Sequence, residues 1–289
     1  GGEEGAHPHD QLDLPTLKSF TKPFLLADMG DKGAKSIERL RALQQARHAD
    51  GHSQAPQEEV DALEELSGYL ELPPADDSSQ LPRGCFRLIA RILAQWPVAS
   101  WGPILDVLRL LLLYSPVNRH YAASTGNPIP IIVRRCLTKH DAPRLVQIRA
   151  LFVASNVFAH DEGAQAVIRE GYGASVLEPC LELVGHEDLA TRMTAAAVLY
   201  NTARLLPSGE DIEVLQLASG LAHHLGTKKD TETAFRLLLA LAQLAHRNSA
   251  ACSLLQSLAF DPEGVEVDGS DDKVKAIGKE LRMMMDAQS

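Results

Sequence analysis

The stretch 231–245, TETAFRLLLALAQLA, is apolar almost all round, yet Arg236 and Gln243 are set into it seven positions apart. Seven residues bring a 3.6-period helix back to the same face, so the two side chains line up along one stripe. A helix that is apolar all round is buried. An arginine on it has to be paired or has to line a groove, since an unpaired buried charge costs on the order of several kcal/mol.

The arrangement recurs upstream. Residues 145–159 carry Arg149 and Asn156 at the same spacing, residues 191–205 carry Thr194 and Asn201, and residues 103–114, PILDVLRLLLLY, carry Arg109 among their leucines. Arg109 to Asn156 is 47 positions, Asn156 to Asn201 is 45, and Asn201 to Gln243 is 42. HEAT and armadillo arrays repeat every ~40–47 residues. The pattern predicts an all-α fold, an armadillo-like helical solenoid of about six repeats, in which each unit gives one polar-striped helix to a common groove.

Composition agrees with such an array. Aromatic residues make up only 5% of the 289 positions, and leucine and alanine dominate the periodic segments, which favours helix over strand. Arg109 and Arg236 interrupt the longest apolar runs, so no membrane-spanning stretch is expected. The start, GGEEGAHPHDQLDLP, is acidic and lacks the apolar core of a secretory signal. Residues 1–13 are therefore expected to be a disordered tail or a cloning scar, with residues 14–289 forming one domain of a longer protein.

The net charge of −10 argues against nucleic acid as a partner. Carboxylates crowd residues 58–77 and 261–272, whereas Arg109, Arg149 and Arg236 sit in apolar helices; a basic groove on an acidic body is the expectation. Cys85, Cys136, Cys180 and Cys252 lie far apart with no CxxC spacing, and read as small buried hydrophobes in a reducing compartment.

In chain order, residues 16–25 hold Phe20 and Phe24 around Pro23 and read as an extended segment docking on the array. Helices are expected over 31–48, 57–70, 83–96, 103–114, 118–123, 129–137, 145–159, 191–205, 213–225, 231–245, 249–260 and 272–285. Residues 49–56 and 73–82 read as loop and linker, and 261–271 as an acidic loop. NPIPIIVRRCL resembles the G-x-I-P-x-L-V segment of armadillo repeats, and GYGASVLEPCLELV repeats the theme; each precedes a polar-striped helix.

The run TETAFRLLLALAQLAHRNSAACSLLQSL resembles the last repeat of the PUL domain, and WGPILDVLRLLLLYSPVNRHY is similar to that family's L-D-x-L-R-L segment with its following P-x-V-N. The resemblance covers nearly the whole chain from about Leu14 onward. It implies an armadillo-like adaptor, without enzymatic activity or cofactor, whose basic groove binds the C-terminal tail of the hexameric AAA ATPase valosin-containing protein in ubiquitin-dependent degradation. It further implies a monomer in the cytoplasm, with the nucleus as a second compartment. The family's two groove arginines fall on Arg109 and Arg236, while Gln243 stands where the family often has a small residue.

Residue chemistry points the same way. Arginine offers a planar fork that matches carboxylates bidentately, and asparagine, both donor and acceptor, can bond the backbone of an extended peptide. The expected peptide-binding residues are Arg109, Arg149, Asn156, Asn201, Arg236 and Gln243. As groove-lining charges, Arg109 and Arg236 are expected to be replaceable with little loss of melting temperature. The bland alternative pairs Arg109 with Asp106, three residues before it, and has the asparagines tying helix ends together. An importin-like groove for a basic peptide would need tryptophans along the ridge, and only Trp96 and Trp101 lie near it. A dimerising scaffold attached to a thioredoxin or thiol-peptidase domain is a further reading. The pairs His7/His9, His48/His52 and His223/His224 carry no HExxH and read as solvated surface, with no metal bound.

Overall fold

The computed structural model describes residues 8–26, 32–49, 57–71, 83–124, 127–138, 142–169, 172–206 and 212–288. The loop 50–56, the linker 73–82 and residues 1–7 of the expected tail lie outside the described residues. The fold is all-α. In chain order the helices are α1 (Pro15–Ser19), α2 (Lys32–Ala49), α3 (Gln57–Glu71), α4 (Arg83–Gln95), α5 (Gly102–Leu111), α6 (Ser115–Ala123), α7 (Ile129–Cys136), α8 (Arg144–Asn156), α9 (Asp161–Arg169), α10 (Tyr172–Leu183), α11 (Leu189–Ala203), α12 (Ile212–Leu225), α13 (Thr231–Arg247), α14 (Ser249–Ser257) and α15 (Asp272–Asp286).

Local chemistry sets their starts. Proline occupies the first turn of α1, α5, α6 and α7, where its missing N–H is not needed and its fixed φ suits the helix. Asp188, Asp230 and Asn248 cap α11, α13 and α14, their side chains accepting from the backbone N–H groups of Thr191, Thr233 and Ala250.

The chain forms two compact units, Gly1–Phe24 with Val176–Ser289, and Leu25–Ser175. In the first, α13 packs on α11, α12 and α15. Eleven of its seventeen residues are buried, as the all-round apolar pattern requires. Gly278 on α15 is fixed by close approach, because a Cβ there would run into the Pro262 carbonyl. In the second unit α5 is the central helix, packed against α2 and α8, while α3 pairs with α4 and α6 with α9. Trp101, at the entry to α5, is fully buried and donates its Nε1 to the Trp96 carbonyl at 3.1 Å.

Several expectations change in detail. The helix over 103–114 ends at Leu111, and that over 145–159 gives way to a 3-10 turn at Val157–Ala159. Helix α9 was not expected, because its sequence DEGAQAVIR offers only a short stripe of small residues. The acidic loop contributes a two-residue strand, Val267–Asp268, which pairs in parallel with Lys229–Asp230. Residues 8–13 are ordered where a loose tail was expected: Pro8–Gln11 make a 3-10 turn, and His9 and Leu14 are wholly buried.

Glu280 ties this N-terminal segment down. It is 5% exposed, and its two oxygens accept from the backbone N–H groups of Thr16 and Leu17 at 2.7 and 2.8 Å, in the first turn of α1. Glu280→Ala should cost about 1–3 kcal/mol in urea denaturation, since two buried donors lose their acceptor, and should speed proteolysis before Phe20; a wild-type midpoint would exclude this role. None of the four cysteines forms a disulfide, and all are buried. Burial pushes the Cys180 thiol up to about 12 and the Cys252 thiol up to about 11, and burial with the nearby Glu65 carboxylate raises Cys85 too. At pH 8 a disulfide reagent should therefore label the thiols slowly until denaturant is added; stoichiometric labelling of the native chain would contradict this.

Candidate peptide-binding ridge

Residues 20–26, FTKPFLL, form neither helix nor strand and bend at Lys22, so the segment cannot satisfy its own backbone. The ridge helices supply what it lacks. In the first unit, the Asn201 carboxamide accepts from the Phe24 N–H at 2.8 Å and donates to the Phe24 carbonyl at 3.0 Å. Tyr200 Oη donates to the Phe20 carbonyl at 2.6 Å, Gln243 to the same oxygen at 3.4 Å, and Arg204 to the Thr21 carbonyl at 2.5 Å. In the second unit, Asn156 accepts from the Leu26 N–H at 2.8 Å and donates to its carbonyl at 3.3 Å, while Arg109 donates to that carbonyl at 2.8 Å. Each asparagine thus bonds both the N–H and the carbonyl of a single residue within its own unit.

The strap's rings are held as tightly as its backbone. Phe24 meets Tyr200 edge-on at 4.9 Å and Phe20 meets Phe235 edge-on at 5.2 Å, while the Arg236 guanidinium lies over Phe24 at 4.6 Å. Arg236 also donates to Glu232 and to the Met193 carbonyl, each at 2.8 Å, and its Nη2 has no partner among the described residues. Burial works to raise the Glu232 carboxyl, but Lys273 and Arg236 outweigh it and hold it below the usual carboxylate range.

In the second unit Asp106 bridges two arginines, accepting from Arg109 Nε at 3.1 Å and Arg149 Nε at 2.7 Å. A Cβ at Gly102 would collide with the Arg149 guanidinium, so glycine at the start of α5 makes room for it. Asn156 Nδ2 also donates to the Arg109 carbonyl at 2.8 Å, tying α8 to α5.

Of the predicted residues, Arg109, Asn156, Asn201, Arg236 and Gln243 contact residues 20–26, whereas Arg149 pairs with Asp106. Asn156, Asn201 and Gln243 bond backbone groups of the chain's own residues 26, 24 and 20. Arg109 both pairs with Asp106 and grips the strap; at 2% exposure it is a buried member of the structure, so its replacement will not leave melting temperature unchanged. Arg149 and Arg236 keep side-chain exposures of 20% and 14%. Thr194 turns back onto its own helix, donating to the Ala190 carbonyl at 2.7 Å. Tyr200 and Arg204 escaped the sequence reading, although their positions beside Asn201 and one turn beyond it are the signal that would have found them. No group of three or more His, Cys, Asp or Glu is arranged to hold a metal among the described residues. No helix among them is long and apolar enough to cross a membrane.

A helical array whose ridge side chains clasp a non-helical backbone is, by fold and chemistry, a protein-interaction module of the armadillo kind. The chain belongs to the PUL domain family, whose sequence profile matches residues 32–280. It is 26% identical over 222 residues to the ubiquitin fusion degradation protein 3 homolog of Caenorhabditis elegans, covering 73% of this chain and 24% of that protein. To the phospholipase A-2-activating protein of Xenopus laevis it is 27% identical over 175 residues, 58% of this chain and 22% of the relative. The chain thus spans about a quarter of the length of these relatives. Among solved structures, a designed armadillo repeat protein in complex with the peptide (KR)4 superposes with a TM-score of 0.57 at 14% identity, covering 87% of this chain and 98% of that one. An engineered protein gives 0.54 at 17%, covering 89% and 98%.

Replacing Asn201 by Ala removes both bonds to Phe24 and leaves its N–H without an acceptor. The expected result is a loss of about 1–3 kcal/mol in stability together with faster hydrogen exchange at Phe24; Asn156→Ala should do the same at Leu26. Unchanged exchange at these amides would show that the asparagines do not hold the strap.

Proposed function

We propose that this domain is an adaptor that captures the C-terminal tail of the AAA ATPase valosin-containing protein and links it to ubiquitin-dependent processing. Membership of the PUL family supports this reading, as does similarity to a relative named for ubiquitin fusion degradation. The structural observation that carries it is Arg236, which is partly exposed, lies over the Phe24 ring, and keeps Nη2 without a partner among the described residues, available to an incoming carboxylate. In one unit the proposed tail contact is Arg236, with Gln243 on the same helix, and in the other unit the exposed candidate is Arg149; Asn201, Asn156 and Arg109, buried and bonded to the chain's own Phe24 and Leu26, act only by holding that segment. The domain works as a monomer in the cytoplasm and nucleus, by binding and without catalysis.

The importin-like alternative loses support from the tryptophans: Trp101 is fully buried and Trp96 is 9% exposed, so neither offers a face to a basic peptide.

Isothermal titration with the ATPase's C-terminal peptide tests the proposal. Arg236→Glu should weaken binding by a factor of tens to thousands, the equivalent of about 2–5 kcal/mol for losing one partner of a hydrogen-bonded charge pair. Amidating the peptide's terminal carboxylate should weaken it as well. Absence of binding by the wild-type chain, or unaltered affinity in a folded Arg236→Glu variant, would refute the assignment.

A further inference from the structure

Within the unit Leu25–Ser175, a cleft of about 720 Å³ opens between α4, α6 and the turn into α7. It lies in the size range of small-molecule sites, roughly 300–1,000 Å³. Its lining combines two features that seldom coincide by chance on an acidic chain. The first is a wall of rings: Phe86 stacks on His120 at 4.1 Å with the planes 9° apart, and meets Tyr121 edge-on at 5.1 Å, above the buried Ile89. The second is a pair of arginines, Arg83 and Arg87, one helical turn apart on α4 and both exposed at the cleft.

The arginines are conspicuous for what they do not touch. One turn further along the same helix Arg91 pairs with Glu59, and on α6 Arg119 pairs with Glu162. Arg83 and Arg87 make neither ion pair nor hydrogen bond among the described residues, although the chain carries 38 carboxylate residues against 28 lysines and arginines, and no carboxylate among the described residues lines the cleft. Burial, and after it Arg83, lowers the His120 pKa, so at neutral pH the ring is an apolar, stackable surface and the charge comes from the two guanidinium groups. Among the described residues no asparagine or glutamine lines this cleft, in contrast to the ridge helices.

We propose that this cleft binds a small aromatic anion, its ring laid against Phe86 and His120 and its single phosphate or carboxylate held by Arg83 and Arg87. Guanidinium forks match either anion bidentately, and the ring wall supplies a stacking surface that an inorganic ion cannot use. The proposal is independent of the tail-binding reading, since it uses none of the ridge residues.

Titration of the full chain with phenyl phosphate, inorganic phosphate and phenol, followed by NMR of the His120 ring protons, tests it. Phenyl phosphate should shift those signals saturably, with inorganic phosphate and phenol each binding at least tenfold more weakly. The double variant Arg83→Ala/Arg87→Ala, which alters only exposed side chains and should melt as wild type does, should bind phenyl phosphate at least tenfold more weakly. Three results would each overturn the proposal: no shift at His120, equal affinity for inorganic phosphate and phenyl phosphate, or wild-type affinity in the folded double variant.

Discussion

Burial obliges polar groups to find partners, and in this protein the obligation is met between ridge asparagines and a non-helical strap. Asn156 and Asn201 are wholly buried on helices surrounded by apolar neighbours. Each would be costly alone, and so would the N–H and carbonyl of a strap residue pressed against such helices. Joined, the carboxamide and the peptide unit satisfy one another with two bonds apiece. That mutual dependence sets the path of residues 20–26, and the path in turn places Phe20 and Phe24 on Phe235 and Tyr200.

Charge is managed by the same rule. Asp106 neutralises two arginines at once, and Glu232 serves Arg236 together with Lys273. Of the two arginines that a peptide groove would most want, Arg109 is committed to holding its own chain, whereas Arg236 retains a free donor. The Arg236 guanidinium is oriented by an ion pair with Glu232 and by the Phe24 ring beneath it.

Much of this was legible in the sequence. Long apolar segments with a 3.6-residue period announced α5, α8, α11 and α13, because a helix buried on all sides must be apolar on all sides. Polar residues recurring at 42 to 47 positions singled out Arg109, Asn156, Asn201 and Gln243, because only a polar group with a repeated task survives on such a helix. The same reasoning passed over α9, whose short run of alanines and a valine gives little stripe to detect. It also missed the two-residue strand at Val267–Asp268, which exists only because Lys229–Asp230 lies beside it. Arg109 was misjudged as a removable groove charge because its burial depends on neighbours from other repeats.

What the sequence determined by itself is thus the class of fold, the identity of the ridge helices and the kind of group each carries, all of them consequences of local periodicity. What only the tertiary structure decided is who those groups bind. Leu26 and Asn156 are 130 positions apart and Phe24 and Asn201 are 177 apart, and no local pattern records which of the chain's non-helical segments will reach a buried asparagine. Asp106 likewise stands three residues from Arg109, as a helix pair would predict, but it takes Arg149 of α8 as a second partner only once α5 and α8 have packed and Gly102 has left room. Partner choice is a property of packing geometry, and packing geometry is settled by the whole chain.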